Sequence, residues 1–115
     1  MLDIQDGKLA AAEQTLRQVV TEDPQLWTAQ AGLGTALSLQ DKLTEYDAWR
    51  AALPAEAATS SEVWLARGLA ADRRMQPEIA ARCFIEAVRC DPDNLEANQG
   101  AARALTALNR AADAA

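Results

Sequence analysis

Apolar residues recur along this chain at intervals of three and four, the spacing that lines one face of an α-helix. Residues 8–22 carry Leu9, Ala12, Leu16, Val19 and Val20 in that register, and Asp23-Pro24 closes the segment. The residue before a proline is pushed out of the α region. A second stripe, Leu26, Ala29, Leu33, Ala36 and Leu37, predicts a helix over roughly 25–40. Asp41 is placed to cap a third helix over 42–53, with Leu43, Tyr46, Trp49 and Leu53 inward and Pro54 as its stop. Residues 54–60 are the least patterned and read as the loosest connection. Ser60 or Ser61 caps a fourth helix over 61–74, and Pro77 opens a fifth at the position where its missing N–H costs nothing. The fifth helix ends at Asp91-Pro92, and a sixth starts after Asp93 or Asn94 and continues through Ala97, Ala101, Ala104, Leu105 and Leu108. Beyond Arg110 the Ala-rich end is expected to fray.

The pattern repeats. Ala12, Leu16, Val20, Asp23 and Pro24 return 68 residues later as Ala80, Phe84, Val88, Asp91 and Pro92. Half that spacing, 34 residues, separates Gly34 from Gly68 and carries the register on to Ala102; Leu37, Ala71 and Leu105 follow the same interval. Short connections alone would suit a four-helix bundle, but the shared register favours a stack of helix pairs. A glycine inside a helix costs ~1 kcal/mol relative to alanine. Its recurrence at fixed spacing marks a helix crossing, with Ala80 and Ala12 as the expected facing surface and Trp64 and Phe84 as fillers between pairs.

In this register the chain resembles the tetratricopeptide repeat family, whose pattern runs W-x2-L-G-x2-Y, then A-x3-F, then P. Residues 61–94 match it best, through Trp64, Gly68, Ala80, Phe84, Ala87 and Pro92, but place Arg67 in the Leu slot and Ala71 in the Tyr slot. Residues 27–60 form a degenerate repeat that keeps Leu33 and Gly34 and has Leu37 in the Tyr slot. There Tyr46 and Arg50 replace the usual Ala and aromatic residue, and the closing Pro is absent. Residues 1–26 read as a partial repeat, with Gly7 beginning a turn, and 95–115 as a partial repeat or capping helix. The resemblance implies a single all-α domain, a right-handed α-solenoid of about six helices in antiparallel pairs. Both ends read as cut through a repeat, so the chain is expected to be a fragment of a longer array whose exposed ends can self-associate.

The family builds a concave groove from the first helix of each pair. Carried over slot by slot, the groove is lined by Thr28, Ala31, Thr35 and Ser38, then Glu62, Leu65, Leu69 and Asp72, then Glu96, Gln99, Arg103 and Thr106. Leu65 and Leu69, one turn apart, lie off the Trp64 packing stripe and are candidates to receive an apolar side chain of a bound peptide or helix. A family subgroup clamps a terminal carboxylate with Lys, Arg and Asn; here Ala31, Thr35, Leu65 and Leu69 fill those slots, which speaks against that specificity. The resemblance therefore implies a protein-protein interaction module. The alternative is a structural spacer or self-association element without a ligand of its own, which a groove poor in aromatic and Arg anchors favours.

Composition narrows the classes further. Half the 115 residues are apolar but only 4% aromatic, and Ala, which lets helices approach closely, is abundant. A net charge of −6 without a basic run speaks against a nucleic-acid partner. No stretch reaches the ~18 apolar residues of a membrane span. With no targeting segment visible, the cytoplasm is the default compartment. The absence of His removes the commonest general base and, with only Cys83 and Cys90, an ordinary zinc site. Neither catalysis nor a cofactor is expected. The two cysteines, seven apart on one helix, lie too far apart for a disulfide and read as packing residues, while Arg73-Arg74 complements the end of the fourth helix.

Overall fold

The computed structural model describes residues 4–114, and they are all-helical. Six α-helices follow one another: α1 (Ile4–Glu22), α2 (Trp27–Leu39), α3 (Leu43–Ala52), α4 (Ser61–Arg73), α5 (Pro77–Cys90) and α6 (Leu95–Ala114). A 3-10 helix, Ala55–Thr59, joins α3 to α4. Helix α2 packs on α1, α3 and α4, and α4 packs in turn on α5 and α6. No helix among the described residues is long and apolar enough to cross a membrane.

The turns show why the chain repeats. After α2 the Lys42 N–H donates to the Leu37 carbonyl and the Asp41 N–H to that of Ser38; after α4 Gln76 and Met75 do the same to Ala71 and Asp72. This is a Schellman motif made twice, 34 positions apart, and it needs a left-handed residue just past the helix. Asp41 (φ 57°) and Met75 (φ 58°) occupy that place. Asp41 thus closes α2 rather than capping α3, correcting the expectation from sequence. The Asp-Pro turns also recur: the Asp23 and Asp91 carboxylates accept from Gln25 and Asp93 N–H. The Gln30 and Asn98 side-chain amides donate to the Pro24 and Pro92 carbonyls. Ser60 caps α4 by accepting from Val63 N–H, and Asn94 caps α6 by accepting from Ala97 N–H.

Two apolar clusters form the core. The first gathers Leu33, Leu37, Tyr46, Trp49, Ala57, Val63, Ala66 and Ala70; the second gathers Ala71, Ala80, Ala81, Phe84 and Ala104. Within the second, Phe84 is 1% exposed. A Cβ built on Gly68 would lie 2.7 Å from its ring, and one on Gly100 would lie 2.6 Å from it. The ring of α5 is therefore wedged between glycines of α4 and α6. Trp49 of α3 occupies the corresponding place against Gly34 of α2, and its indole N–H donates to the buried Gln30 amide oxygen at 2.9 Å. Gly34, Gly68 and Gly100 thus face aromatic rings, while Gly32 faces Leu16 of α1. Ala80 is fully buried, as expected, but Ala12 is exposed, and the glycine of α6 lies at Gly100 while Ala102 faces outward.

Other expectations are corrected too. Gly7 lies inside α1 and begins no turn. Leu43 is exposed because α3 turns that side to solvent, and Leu105 is half exposed on α6. The 54–60 connection is the ordered 3-10 helix, anchored by buried Ala57. Trp64 is only half buried; its indole N–H donates to the Ala58 carbonyl at 2.8 Å. Cys83 fills the core while Cys90 is exposed. Helix α6 runs to Ala114. The expectation for residues 1–3 lies outside the described residues.

Helix α1 is fastened by a charge. Glu13, 8% exposed, accepts from Lys42 Nζ at 2.7 Å, Arg17 Nε at 2.8 Å and Gln40 Nε2 at 3.0 Å. The Lys42 and Arg17 hydrogen bonds outweigh the cost of burial and hold its carboxyl at about 2 against an ordinary 4.5. A depressed folded-state value contributes stability that is fully present above pH 4.5 and lost as pH falls towards 2. Glu13→Gln is expected to lower stability at pH 7 by ~1–3 kcal/mol, and the gap to the parent chain is expected to close over that acid window in urea titrations. A gap independent of pH would contradict the assignment. The glycines make a second test. Gly68→Ala is expected to destabilise by ~1–3 kcal/mol despite its better helix propensity. Gly7→Ala, whose Cβ meets nothing within 4 Å, is expected to stabilise by ~0.5–1 kcal/mol in the same denaturation assay.

Candidate functional site

Helices α2, α4 and α6 lie side by side, each the helix that follows an Asp-Pro turn or the 3-10 connection. On α4 the residues at 65, 69 and 72 stand about 200° around the axis from 67, 71 and 74, at 100° per residue. The first set faces one surface of the molecule and the second set another.

Two depressions run along the first surface. One, of about 320 Å³, lies between α2 and α4 and is lined by Thr35, Ser38 and Leu39 on one side and Leu69, Asp72 and Arg73 on the other. Ala66 and Ala70 form its floor, their small side chains leaving the hollow open. The next, of about 470 Å³, lies between α4 and α6 and is lined by Leu69, Glu96, Gln99, Ala102 and Arg103. Leu69 belongs to both. Its side chain is half buried and rests on the Phe84 cluster, so its position is set by the core beneath it.

Of the residues proposed from sequence, Thr35, Ser38, Leu69, Asp72, Glu96, Gln99 and Arg103 are brought together along this line. Ala31 is not. It belongs to the first apolar cluster, because α2 is covered on both flanks by α1 and α4. Leu65 packs on the second cluster and lines neither depression. Thr28 and Glu62 are exposed at the starts of α2 and α4, away from the hollows, and Thr106 lines a separate shallow hollow with Leu105, Leu108 and Asn109. Leu39 and Arg73 were missed by sequence reasoning. Their signal is helical: each lies four residues after a groove position, Thr35 and Leu69, and so shares its face.

The surface is polar at its edges and apolar along its middle. Acidic Asp72 and Glu96 stand beside basic Arg73 and Arg103, so neither sign of charge dominates. Arg73 is already engaged, 3.3 Å from Asp41 across the repeat. Thr35 donates its hydroxyl to the Ala31 carbonyl at 2.9 Å. Burial pushes the Cys83 thiol above its ordinary value, as expected of a packing residue and not of a nucleophile. Among the described residues no cluster of three or more His, Cys, Asp or Glu is placed to hold a metal ion. The chain matches no family model, no curated protein and no solved structure.

Proposed function

We propose that the chain is a non-catalytic interaction module of the tetratricopeptide type, a right-handed solenoid of helix pairs that holds an apolar side chain of a peptide or helix over Leu69. The observation that supports this most directly is the meeting of two depressions at that residue. An amphipathic helix presents anchors at i, i+3, i+4 and i+7, and such anchors fit successive hollows separated by one helix diameter. The mixed charges along the rim suit a partner whose apolar anchor is flanked by both acidic and basic residues. The repeated Schellman turns and the 34-residue register support the repeat assignment.

A second reading, self-association, is favoured by exposed Leu95 and Leu105 and the shallow hollow beside Thr106 on α6. In that case α6 meets another copy and the groove has no ligand.

Peptides selected from a displayed library against the chain separate the two. Under the groove reading their affinity falls at least ~10-fold on Leu69→Asp, equivalent to ~1.4 kcal/mol, and stays unchanged on Met75→Asp, an exposed control. Arg103→Glu on the exposed rim of the groove gives the same answer should Leu69→Asp perturb folding. Selection that yields no peptide, or peptides indifferent to both groove substitutions, sinks the proposal. Concentration-dependent dimerisation abolished by Leu105→Asp would then favour self-association.

A further inference from the structure

Shifting the chain by 34 positions aligns α2 with α4 and the start of α3 with that of α5, and four aligned slots change character. Leu33 aligns with Arg67, Leu37 with Ala71, Tyr46 with Ala80 and Arg50 with Phe84. Leu33, Leu37, Ala80 and Phe84 are all core residues; of the residues aligned with them Tyr46 and Ala71 are core as well, and only Arg67 and Arg50 are not. Their counterparts Arg67, Ala71, Tyr46 and Arg50 all line one cavity, of about 180 Å³, between α3, α4 and α5. Departures from the repeat that are scattered in sequence thus converge on one place. Two of them are arginines in slots that elsewhere hold leucine and phenylalanine.

The cavity is strongly cationic. Arg74 joins Arg50 and Arg67 in its wall, Gln76 adds an amide, and no carboxylate lines it. This occurs in a chain whose net charge is −6. Arg74 has its own partners, Asp47 at 3.1 Å and the Leu43 carbonyl at 3.3 Å, with its guanidinium 5.1 Å from the Tyr46 ring centroid. Arg50 and Arg67 have no ion-pair partner among the described residues. Arg67 Nε is buried without a hydrogen-bond acceptor, while its guanidinium lies 4.3 Å from the Trp64 ring centroid. Helix ends account for Arg50, in the last turn of α3, and for Arg74, just past α4. They do not account for Arg67, which sits in the middle of α4. An anion in the cavity is attracted by the guanidiniums that line it, two of them without an acidic partner of their own among the described residues.

We propose that this cavity binds a phosphate group. Planar guanidiniums bind tetrahedral oxyanions in bidentate fashion, and two without acidic partners match the near-dianionic charge of a phosphate monoester. A volume of about 180 Å³ leaves room for one phosphate group. The site lies on the opposite side of α4 from Leu69, so it operates independently of the groove. A phosphorylated side chain of a partner and a free phosphate or small phosphate ester share this chemistry.

Inorganic phosphate is titrated into the intact chain against sodium chloride of matched ionic strength, with thermal unfolding and calorimetry as readouts. The expected result is a rise in Tm of about 4 °C or more at ten millimolar phosphate, roughly what a millimolar dissociation constant produces. Arg67→Gln abolishes the rise. Arg50→Gln, at an exposed position, weakens binding about tenfold and decides the matter if Arg67→Gln does not fold. Arg103→Gln, in the groove, leaves it unchanged. Tighter binding of a phosphoserine peptide than of inorganic phosphate assigns the site to a modified partner; equal binding assigns it to free phosphate or a small ester. An equal rise in matched chloride, or one that survives Arg50→Gln and Arg67→Gln, overturns the proposal.

Discussion

A single kind of contact sets the spacing of this molecule: an aromatic ring pressed on a helix glycine. Phe84 lies between Gly68 and Gly100, and a methyl group added at either glycine would fall inside the ring's contact distance. Because the ring is fully enclosed, it has nowhere to move. The contact therefore sets how closely α5 approaches α4 and α6, and so where α4 and α6 stand relative to one another. The hollow beside Leu69 is what remains between those two helices on the other side. Its width follows from the ring, and Leu69 itself rests on the same cluster.

The other half of the molecule is built on the same contact with a one-residue difference. Trp49, not the register position Arg50, meets the glycine of α2. The indole brings an N–H that must be satisfied, and Gln30 satisfies it while also holding the Pro24 carbonyl. The displacement frees Arg50 to turn towards α4 and α5. Helix α3 packs closely on α2 alone, and long side chains bridge the gap to α4 and α5. The cationic cavity is thus a consequence of how α2 and α3 fill the core between them. Two surfaces with different chemistry, one mixed and partly apolar, the other rich in arginine, arise on opposite sides of α4.

Much of the helical layout is legible in sequence because local physics writes it. The prolines at 24 and 92, the caps at Ser60 and Asn94 and Pro77 at the start of α5 act within a few residues of themselves. The turn at Asp41 was not legible, since a left-handed conformation usually announces itself through glycine and here falls on aspartate and methionine. Nor was the place of Gly100, two residues before the register slot at Ala102: it depends on how α6 rotates against Phe84. Among the positions that the resemblance implied, Thr35 and Leu69 line the hollows, whereas the burial of Ala31 depends on α1 covering α2 from a distant part of the chain. The arginine cavity is written only as departures from a pattern, and departures acquire meaning once their positions in space are known.

The most direct test of the ring-on-glycine constraint is a double-mutant cycle in urea between Gly68→Ala and Phe84→Leu. If the ring sets the spacing, shortening it makes room for the new methyl group. The double variant then costs less than the sum of the single ones by ~1 kcal/mol or more. Costs that add to within ~0.3–0.5 kcal/mol would show that the two positions do not feel each other, and would contradict the packing on which both surfaces depend.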